Sequence, residues 1–302
     1  MSNFFKNYSS TFRSLFSAAF VLLVSSAAWG QMKYGFKAGL NFNSIDGPLE
    51  VSAAGANLEN WGSLTSFHIG ISVDYQFPGT AFGIRGEVLY NKKGSKYTYE
   101  GESFRTFRFD DGTTTLTTGN SKYLVNVTNA YIDFPVMAHG RWKDLEFSAG
   151  AYAGLRVQSI GEGSLSYTGG RTVPLSVAVS DLEFNLDYDY GSDKPGEGSG
   201  DLKVAQIGGK PLELPSTLGA YFDYPSDRGS LYKSLDYGLI AGLSYYINSL
   251  YIGFRMQYGL ADISNEDADI AKAVTDNGSP VYRNDTDRNM VYQLSVGFTF
   301  GR

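Results

Sequence analysis

The sequence contains no cysteine, and it has only two histidines, His68 and His139, among its 302 residues. The absence of cysteine excludes disulfides, thiolate metal ligands and a lipid anchor attached to cysteine. Two histidines that lie so far apart in the chain also give no cluster of imidazoles with the spacing of a metal centre. The formal net charge is −6, so the chain also lacks the basic surplus that a nucleic-acid-binding protein carries.

Long apolar runs are also absent beyond the first residues. The start of the chain has Lys6 and Arg13, then an apolar stretch over 15–24, then small residues over 25–28. This order predicts a secretory signal peptide over 1–30, with cleavage after Gly30. No later segment approaches the roughly 18 consecutive apolar residues of a membrane-spanning helix.

Alternation of apolar with polar or small residues is what the sequence contains instead. In the segment 66–77, every second side chain from Phe67 to Phe77 is apolar, and the others are Ser, His, Gly, Asp or Gln. This period of two is typical of a β-strand with one apolar face. Eight segments show it, at about 34–42, 66–77, 82–90, 131–138, 145–156, 236–245, 250–260 and 290–300.

The lengths of the connections alternate as well. Three are short, at 78–80, 139–143 and 248–249. Four are long, at about 43–65, 91–122, 158–234 and 262–288. Short periplasmic turns and long outer loops are typical of outer-membrane barrels.

These observations predict an all-β fold over 31–302: an eight-stranded antiparallel up-and-down transmembrane β-barrel in the bacterial outer membrane. A soluble, lipocalin-like barrel is the alternative. It is disfavoured because glycines recur on the polar strand faces, where they would weaken a solvated strand but would make room inside a narrow barrel.

Several strands resemble a known family. The segments are 35–41 (GFKAGLN), 131–137 (YIDFPVM), 147–154 (FSAGAYAG), 236–242 (DYGLIAG) and 258–262 (YGLAD). Together they resemble the PorT-like outer-membrane β-barrel family of Bacteroidetes-type bacteria, whose name comes from a member associated with protein secretion. The resemblance covers nearly all strands and little of the loops, so it implies the fold but not a function carried by loops.

The inward faces of these strands carry charges of both signs. We expect a polar network in the lumen, because an eight-stranded barrel is just wide enough for its side chains and buried charges need partners. We predict an ion pair between Arg156 and Asp236 near the outer mouth. The predicted members of the network are Lys37, Arg85, Glu87, Asp133, Glu146, Arg156, Asp236 and Arg255.

Catalytic residues are not evident from the sequence. His68 falls in mid-strand and His139 at a periplasmic turn, so neither is expected at the outer rim where substrate would arrive. The third long loop is acidic, and Asp187 and Asp189 form a weak candidate calcium site, although a solvated acidic loop explains them as well. We expect no catalytic residue and no cofactor.

The sequence therefore favours a non-enzymatic barrel with a structural or surface-interaction role through its outer loops. The alternative is an outer-membrane component of an envelope or protein-secretion machine. Expected partners are outer-membrane lipid and, during biogenesis, the barrel-assembly machinery. Partners among periplasmic or surface proteins stay open, and nucleic acid is not expected.

Overall fold

The computed structural model describes residues 32–300. The predicted signal peptide over 1–30 lies outside these residues. Among residues 32–300, no helix is long and apolar enough to cross a bilayer.

The described chain folds into antiparallel strands joined mainly by hairpins. The strands are β1 (Met32–Asp46), β2 (Glu59–Gly62), β3 (Leu64–Gln76), β4 (Phe82–Arg108), β5 (Thr114–Trp142), β6 (Leu145–Thr172), β7 (Leu182–Asp189), β8 (Gly198–Ile207), β9 (Lys210–Leu218), β10 (Leu235–Ile247), β11 (Leu250–Gly259), β12 (Ile270–Asp276), β13 (Ser279–Tyr282) and β14 (Arg288–Phe300).

Eight of these strands close on themselves. Antiparallel pairings lead from β1 to β3, β4, β5, β6, β10, β11 and β14, and β14 pairs back with β1. The first and last strands align over Tyr34↔Phe300 to Asp46↔Arg288. Closure leaves no unpaired edge in the ring, which a bilayer requires because its core cannot hydrogen-bond a free backbone.

The two faces of the ring differ in the way that the alternation predicts. Apolar side chains on the outside form a belt, and many are about half exposed, including Ile71, Phe147, Ile252, Val296 and Val136. The inner face carries polar groups and glycines. A Cβ at Gly297 would lie 2.3 Å from Cζ of Tyr251, so this glycine makes the space that the buried tyrosine occupies.

The ends of the ring are unequal. At one end, called here the short-turn end, tight turns centred near Gly79, Lys143 and Asn248 join the strands, and all three residues have a positive φ. At the other, the extended end, β4, β5 and β6 continue far past the belt and are joined by β2, β7, β8, β9, β12 and β13.

The predicted long loops over 91–122 and 158–234 are therefore wrong in their bounds. Strands β4 and β5 form one hairpin that turns only at residues 109–113, and β6 continues to Thr172. The prediction used outward apolar residues to recognise a strand, and this polarity reverses past the belt. Tyr97 and Phe107 face inward there, whereas Lys96 and Arg108 face outward.

This reversal gives the extended end a hydrophobic core of its own. The core lies between β4, β5, β6, β7, β8, β9 and the segments 219–232 and 261–264. It includes Tyr99, Val125, Leu165, Tyr167, Phe184, Ile207, Leu218 and Ile263. Water surrounds this part of the molecule, so its apolar side chains face inward as in a soluble β-protein.

Candidate functional site

Two regions of the structure bring functional groups together: the lumen of the ring and a cavity in the extended end. In the lumen, five cations face five carboxylates on the inner strand faces. They are Lys37, Arg85, Lys93, Arg141 and Arg255 against Asp74, Glu87, Asp133, Glu146 and Asp236.

The cluster nearest the short-turn end is centred on Arg85. Its guanidinium lies 2.7 Å from Asp74 Oδ2 and 2.7 Å from Glu146 Oε1. Nη2 of Arg85 also donates to the Tyr246 hydroxyl at 3.0 Å. Both carboxylates therefore share one buried cation, which offsets the cost of removing them from water.

A second cluster lies one layer further in. Glu87 accepts both Nη1 and Nη2 of Arg255, at 2.7 and 2.9 Å. The ammonium of Lys37 lies 2.6 Å from the same carboxylate. The two-point contact of Arg255 fixes the orientation of Glu87, as a guanidinium commonly does with a carboxylate.

The third cluster, near the start of the extended end, is centred on Lys93. Its Nζ lies 3.0 Å from Asp133 and 2.8 Å from Asp236. The rings of Tyr131 and Tyr152 flank the ammonium at 4.7 and 4.2 Å. The sequence prediction missed Lys93 because it ended the third strand at residue 90. Lys93 nevertheless continues the every-second-residue series of Arg85 and Glu87.

The predicted Arg156–Asp236 pair is wrong, and Arg156 does not join the lumen network. Arg156 lies two residues further along β6 than Gly154, and its backbone N–H donates to the Ser234 carbonyl oxygen. Arg156 instead donates to the backbone oxygens of Tyr232 and Lys233 and to Ser230 Oγ. Asp236 lies opposite Gly154 and pairs with Lys93. The other seven predicted members do line the lumen.

One lumen contact resembles a catalytic arrangement. His68 Nε2 lies 2.8 Å from Ser295 Oγ, and His68 Nδ1 lies 2.7 Å from Asn41 Oδ1. All three side chains are buried in mid-lumen among other polar groups. A nucleophile needs a site beside it for the reacting group, so this trio is better explained as part of the polar filling.

His139 lies within the Arg85 cluster, buried in the lumen rather than at a free turn. Asp74, His139 and Glu146 offer ligand atoms that all lie within 4.8 Å of one another. The guanidinium of Arg85 already contacts both carboxylates and would repel a divalent cation. The two carboxylates are therefore explained as ionic partners of Arg85, and His139 lies beside them, with Nε2 3.2 Å from Asp74 Oδ2.

The weak calcium candidate is not assembled by the fold. Asp187 is exposed on β7 opposite Glu162. Asp189 Oδ1 accepts the backbone N–H groups of Gly191 and Ser192, which is the role of a turn-capping carboxylate. Neither residue belongs to the carboxylate and histidine group found within residues 32–300.

The extended end contains a cavity of about 170 Å³. Strands β2, β4, β5, β7 and β12 and the segment 218–232 contribute to its wall. Much of the wall is aromatic, and the Trp61 and Tyr97 rings lie 4.8 Å apart, centroid to centroid. Most of these residues fall in segments that the sequence predicts to be loops, so no sequence pattern signals this site.

Charged side chains lie among the aromatic residues of the wall. Arg105 is buried, and its Nη2 donates to both oxygens of Asp223 at 2.9 and 2.8 Å. Arg283 lies 2.8 Å from Glu59, which also accepts the Tyr97 hydroxyl.

Burial raises the pKa of Asp287, which accepts Ser264 Oγ, to about 6. A pocket with an aromatic wall and a few convergent polar groups is the usual form of a small-molecule site.

Comparison with known proteins identifies the fold. A family model described as "outer membrane protein beta-barrel domain" matches residues 25–265. The chain belongs to this family. It is therefore an outer-membrane β-barrel protein of the bacterial cell, as the alternation and the connection lengths predicted.

Solved structures with a similar fold share little sequence with this barrel. OprG of Pseudomonas aeruginosa is 9% identical, with a TM-score of 0.31 and coverage of 90% of this chain and 98% of OprG. Ail of Yersinia pestis is 10% identical, with a TM-score of 0.31 and coverage of 89% and 99%. The outer membrane protease OmpT of Escherichia coli is 8% identical, with a TM-score of 0.29 and coverage of 91% and 98%. No curated protein sequence matches.

Proposed function

We propose that this outer-membrane barrel is a non-enzymatic surface-interaction protein that binds its ligand at the extended end, outside the cell. One observation carries the proposal. The extended end has its own hydrophobic core and a cavity, whereas the lumen is filled by paired charges. The membrane part then anchors the molecule, and the outer part is left to meet a ligand.

The positions of the candidate catalytic groups support a non-enzymatic role. His68 is 1% exposed and His139 is 3% exposed, and both lie inside the filled ring rather than in the cavity. The cavity itself is lined by aromatic, aliphatic and ion-paired side chains. A general base needs a substrate within hydrogen-bond reach, and these histidines have none there.

Cysteine labelling tests the placement, since the native chain has no cysteine. Ser226→Cys places a thiol in an exposed loop of the extended end, and the matched control Thr80→Cys places one at an exposed short turn. We expect a membrane-impermeant maleimide to label Ser226→Cys on intact cells and to label Thr80→Cys only after lysis. The reverse pattern would put the cavity in the periplasm and refute surface interaction.

A second candidate is an outer-membrane component of an envelope or protein-secretion machine. The resemblance of the strand motifs to the PorT-like family favours it. We propose extraction in mild detergent followed by purification of the intact protein. Stable periplasmic proteins in near-equal amount would favour the machine, and the barrel alone would favour the surface-interaction protein.

A further inference from the structure

The size of the cavity limits what it can hold. An apolar cavity of about 150 Å³ in another protein binds one benzene molecule. At about 170 Å³, the cavity of the extended end fits a single ring with a small substituent. The aromatic side chains around it favour a flat aromatic body, because ring pairs gain contact energy beyond the area that they bury.

Arg105 supplies a charged group that its neighbours do not fully satisfy. Its side chain is 2% exposed and lines the cavity. Only Nη2 has a hydrogen-bond partner, Asp223, while Nε and Nη1 have none within residues 32–300. The Phe184 ring lies 5.6 Å from the guanidinium carbon, but stacking on the face of the group does not use its in-plane N–H bonds.

Unpaired buried N–H groups of a cation are costly, and an oxyanion is the partner that satisfies them best. A second cation lies on the same wall. Lys272 is half-buried, and its Nζ lies 5.1 Å from the Tyr97 ring and 5.6 Å from the Tyr123 ring. No carboxylate lies within salt-bridge distance of this ammonium in the described part of the chain.

Each acidic residue of the wall lies close to a cation or to a hydrogen-bond donor. Glu59 accepts Arg283 at 2.8 Å, and Asp287 accepts the Ser264 hydroxyl. Asp269 lies 3.9 Å from Arg283. The unpaired N–H groups of Arg105 therefore remain as buried donors at this wall, and they favour a negative ligand.

We propose that the cavity binds a small aromatic carboxylate, with its ring against the aromatic wall and its carboxylate at Arg105. Lys272 adds attraction for the same charge. This proposal rests on the proposed function, because the ligand must reach the extended end from outside the cell.

Fluorescence of Trp61 reports binding directly. The predicted mature chain has two tryptophans, Trp61 at the cavity and Trp142 at the short-turn end, so Trp142→Phe leaves one reporter. The purified mature barrel in detergent is titrated with benzoate, benzyl alcohol and benzylamine, which share a ring and differ in charge. We expect a saturable change with benzoate, and binding about ten-fold weaker with the neutral alcohol.

Variants assign the preference to Arg105. Arg105→Gln combined with Asp223→Asn removes both partners of the ion pair, so no buried charge is left alone. We expect benzoate to bind about ten-fold more weakly to this double variant, whereas binding of benzyl alcohol stays the same. The control is Arg108→Gln, an exposed arginine on the same strand, which should keep the preference.

Equal binding of the three probes to the protein with Trp142→Phe, or no response to benzoate up to its solubility limit, would overturn the proposal. These titrations need no change at Arg105, so they test the proposed ligand class even if the double variant fails to fold. They are also independent of the labelling of Ser226→Cys. Labelling from outside together with equal binding of the probes would leave the proposed function standing and reject only the ligand class.

Discussion

At the scale of single residues, the lumen shows what a buried charge requires. Lys93 is fully buried and stands between Asp133 and Asp236, with two tyrosine rings beside it. Asn91 and Asn289 add hydrogen bonds to these carboxylates at 2.7 and 3.0 Å. Each charged group of the cluster therefore has a partner of opposite charge in the low-dielectric lumen, which offsets the cost of its burial.

Removal of Lys93 should therefore be costly. Lys93→Met keeps the length of the side chain but leaves Asp133 and Asp236 facing each other without a cation. We expect the free energy of unfolding to fall by about 3–5 kcal/mol, the usual cost of breaking a buried ion pair. Urea unfolding of the refolded barrel in lipid vesicles measures it.

The neighbouring lysine is the matched control. Lys92 points to the other face of β4, where its ammonium lies 5.2 Å from the Phe67 ring. Lys92→Met should cost less than about 1 kcal/mol. A loss at Lys93 as small as that at Lys92 would mean that the cluster does not hold the lumen together. Adding Asp236→Asn to Lys93→Met should restore part of the loss, because it removes the repulsion between the carboxylates.

At the scale of elements, a strand that continues beyond the apolar belt keeps its direction, but its apolar and polar side chains exchange faces. Along β5, Phe134 and Val136 face lipid, and Asn126 on the same side of the strand faces water. The inward side changes from polar to apolar: Asp133 lies in the lumen, and Val125 and Val127 lie in the core of the extended end. The medium outside the strand sets both choices, since lipid cannot hydrogen-bond and water can.

Charge substitution along this face should locate the boundary. Val136→Arg places a guanidinium in the middle of the apolar belt, and we expect it to cost about 2–4 kcal/mol. Asn126→Arg introduces the same group on the same face of β5, opposite the exposed Glu162, and should be close to neutral.

The same unfolding assay in lipid vesicles compares the two variants. Equal costs at the two positions would mean that the belt extends further along β5 than the burial pattern indicates. Equal tolerance would mean that Val136 does not face lipid at all.

At the scale of the whole molecule, the barrel consists of two parts, the ring of eight strands and the extended end. The ring of eight strands provides a closed anchor whose interior is occupied by side chains. The extended end resembles a soluble β-domain, in which β7 pairs with the part of β6 that has left the ring. Such an arrangement allows the outer part to vary without disturbing insertion into the membrane.

A filled lumen should not conduct ions. We expect the purified protein in planar lipid bilayers to show no discrete current steps, because large and charged side chains occupy every layer of the ring. A sixteen-stranded porin, which encloses a water-filled channel, provides the positive control. Regular current steps from the unmodified protein would show that the ionic network opens, and would favour a transport role.

The sequence by itself determined the part of this protein that meets lipid. Alternation from Phe67 to Phe77, and in seven further segments, marks strands because only one face of each can contact the bilayer. Lys37, Arg85, Glu87, Asp133, Glu146, Asp236 and Arg255 could be assigned to the lumen from the same parity. Arg156 shares this parity, but it lies further along β6 than Gly154, the residue opposite Asp236, and its guanidinium donates to backbone oxygens of Tyr232 and Lys233, which parity alone does not predict.

The strands and the cavity of the extended end could be found only from the tertiary structure. Past the belt, the segments 91–122 and 158–234 no longer show an apolar outer face, so they read as loops although much of them is strand. The cavity joins Trp61, Arg105, Asp223 and Lys272, which are far apart in the chain and meet only when hairpins from four connections pack together. The alternation of apolar and polar side chains along a strand depends on whether lipid or water lies beside that strand. A site of this kind depends instead on which strands lie beside one another.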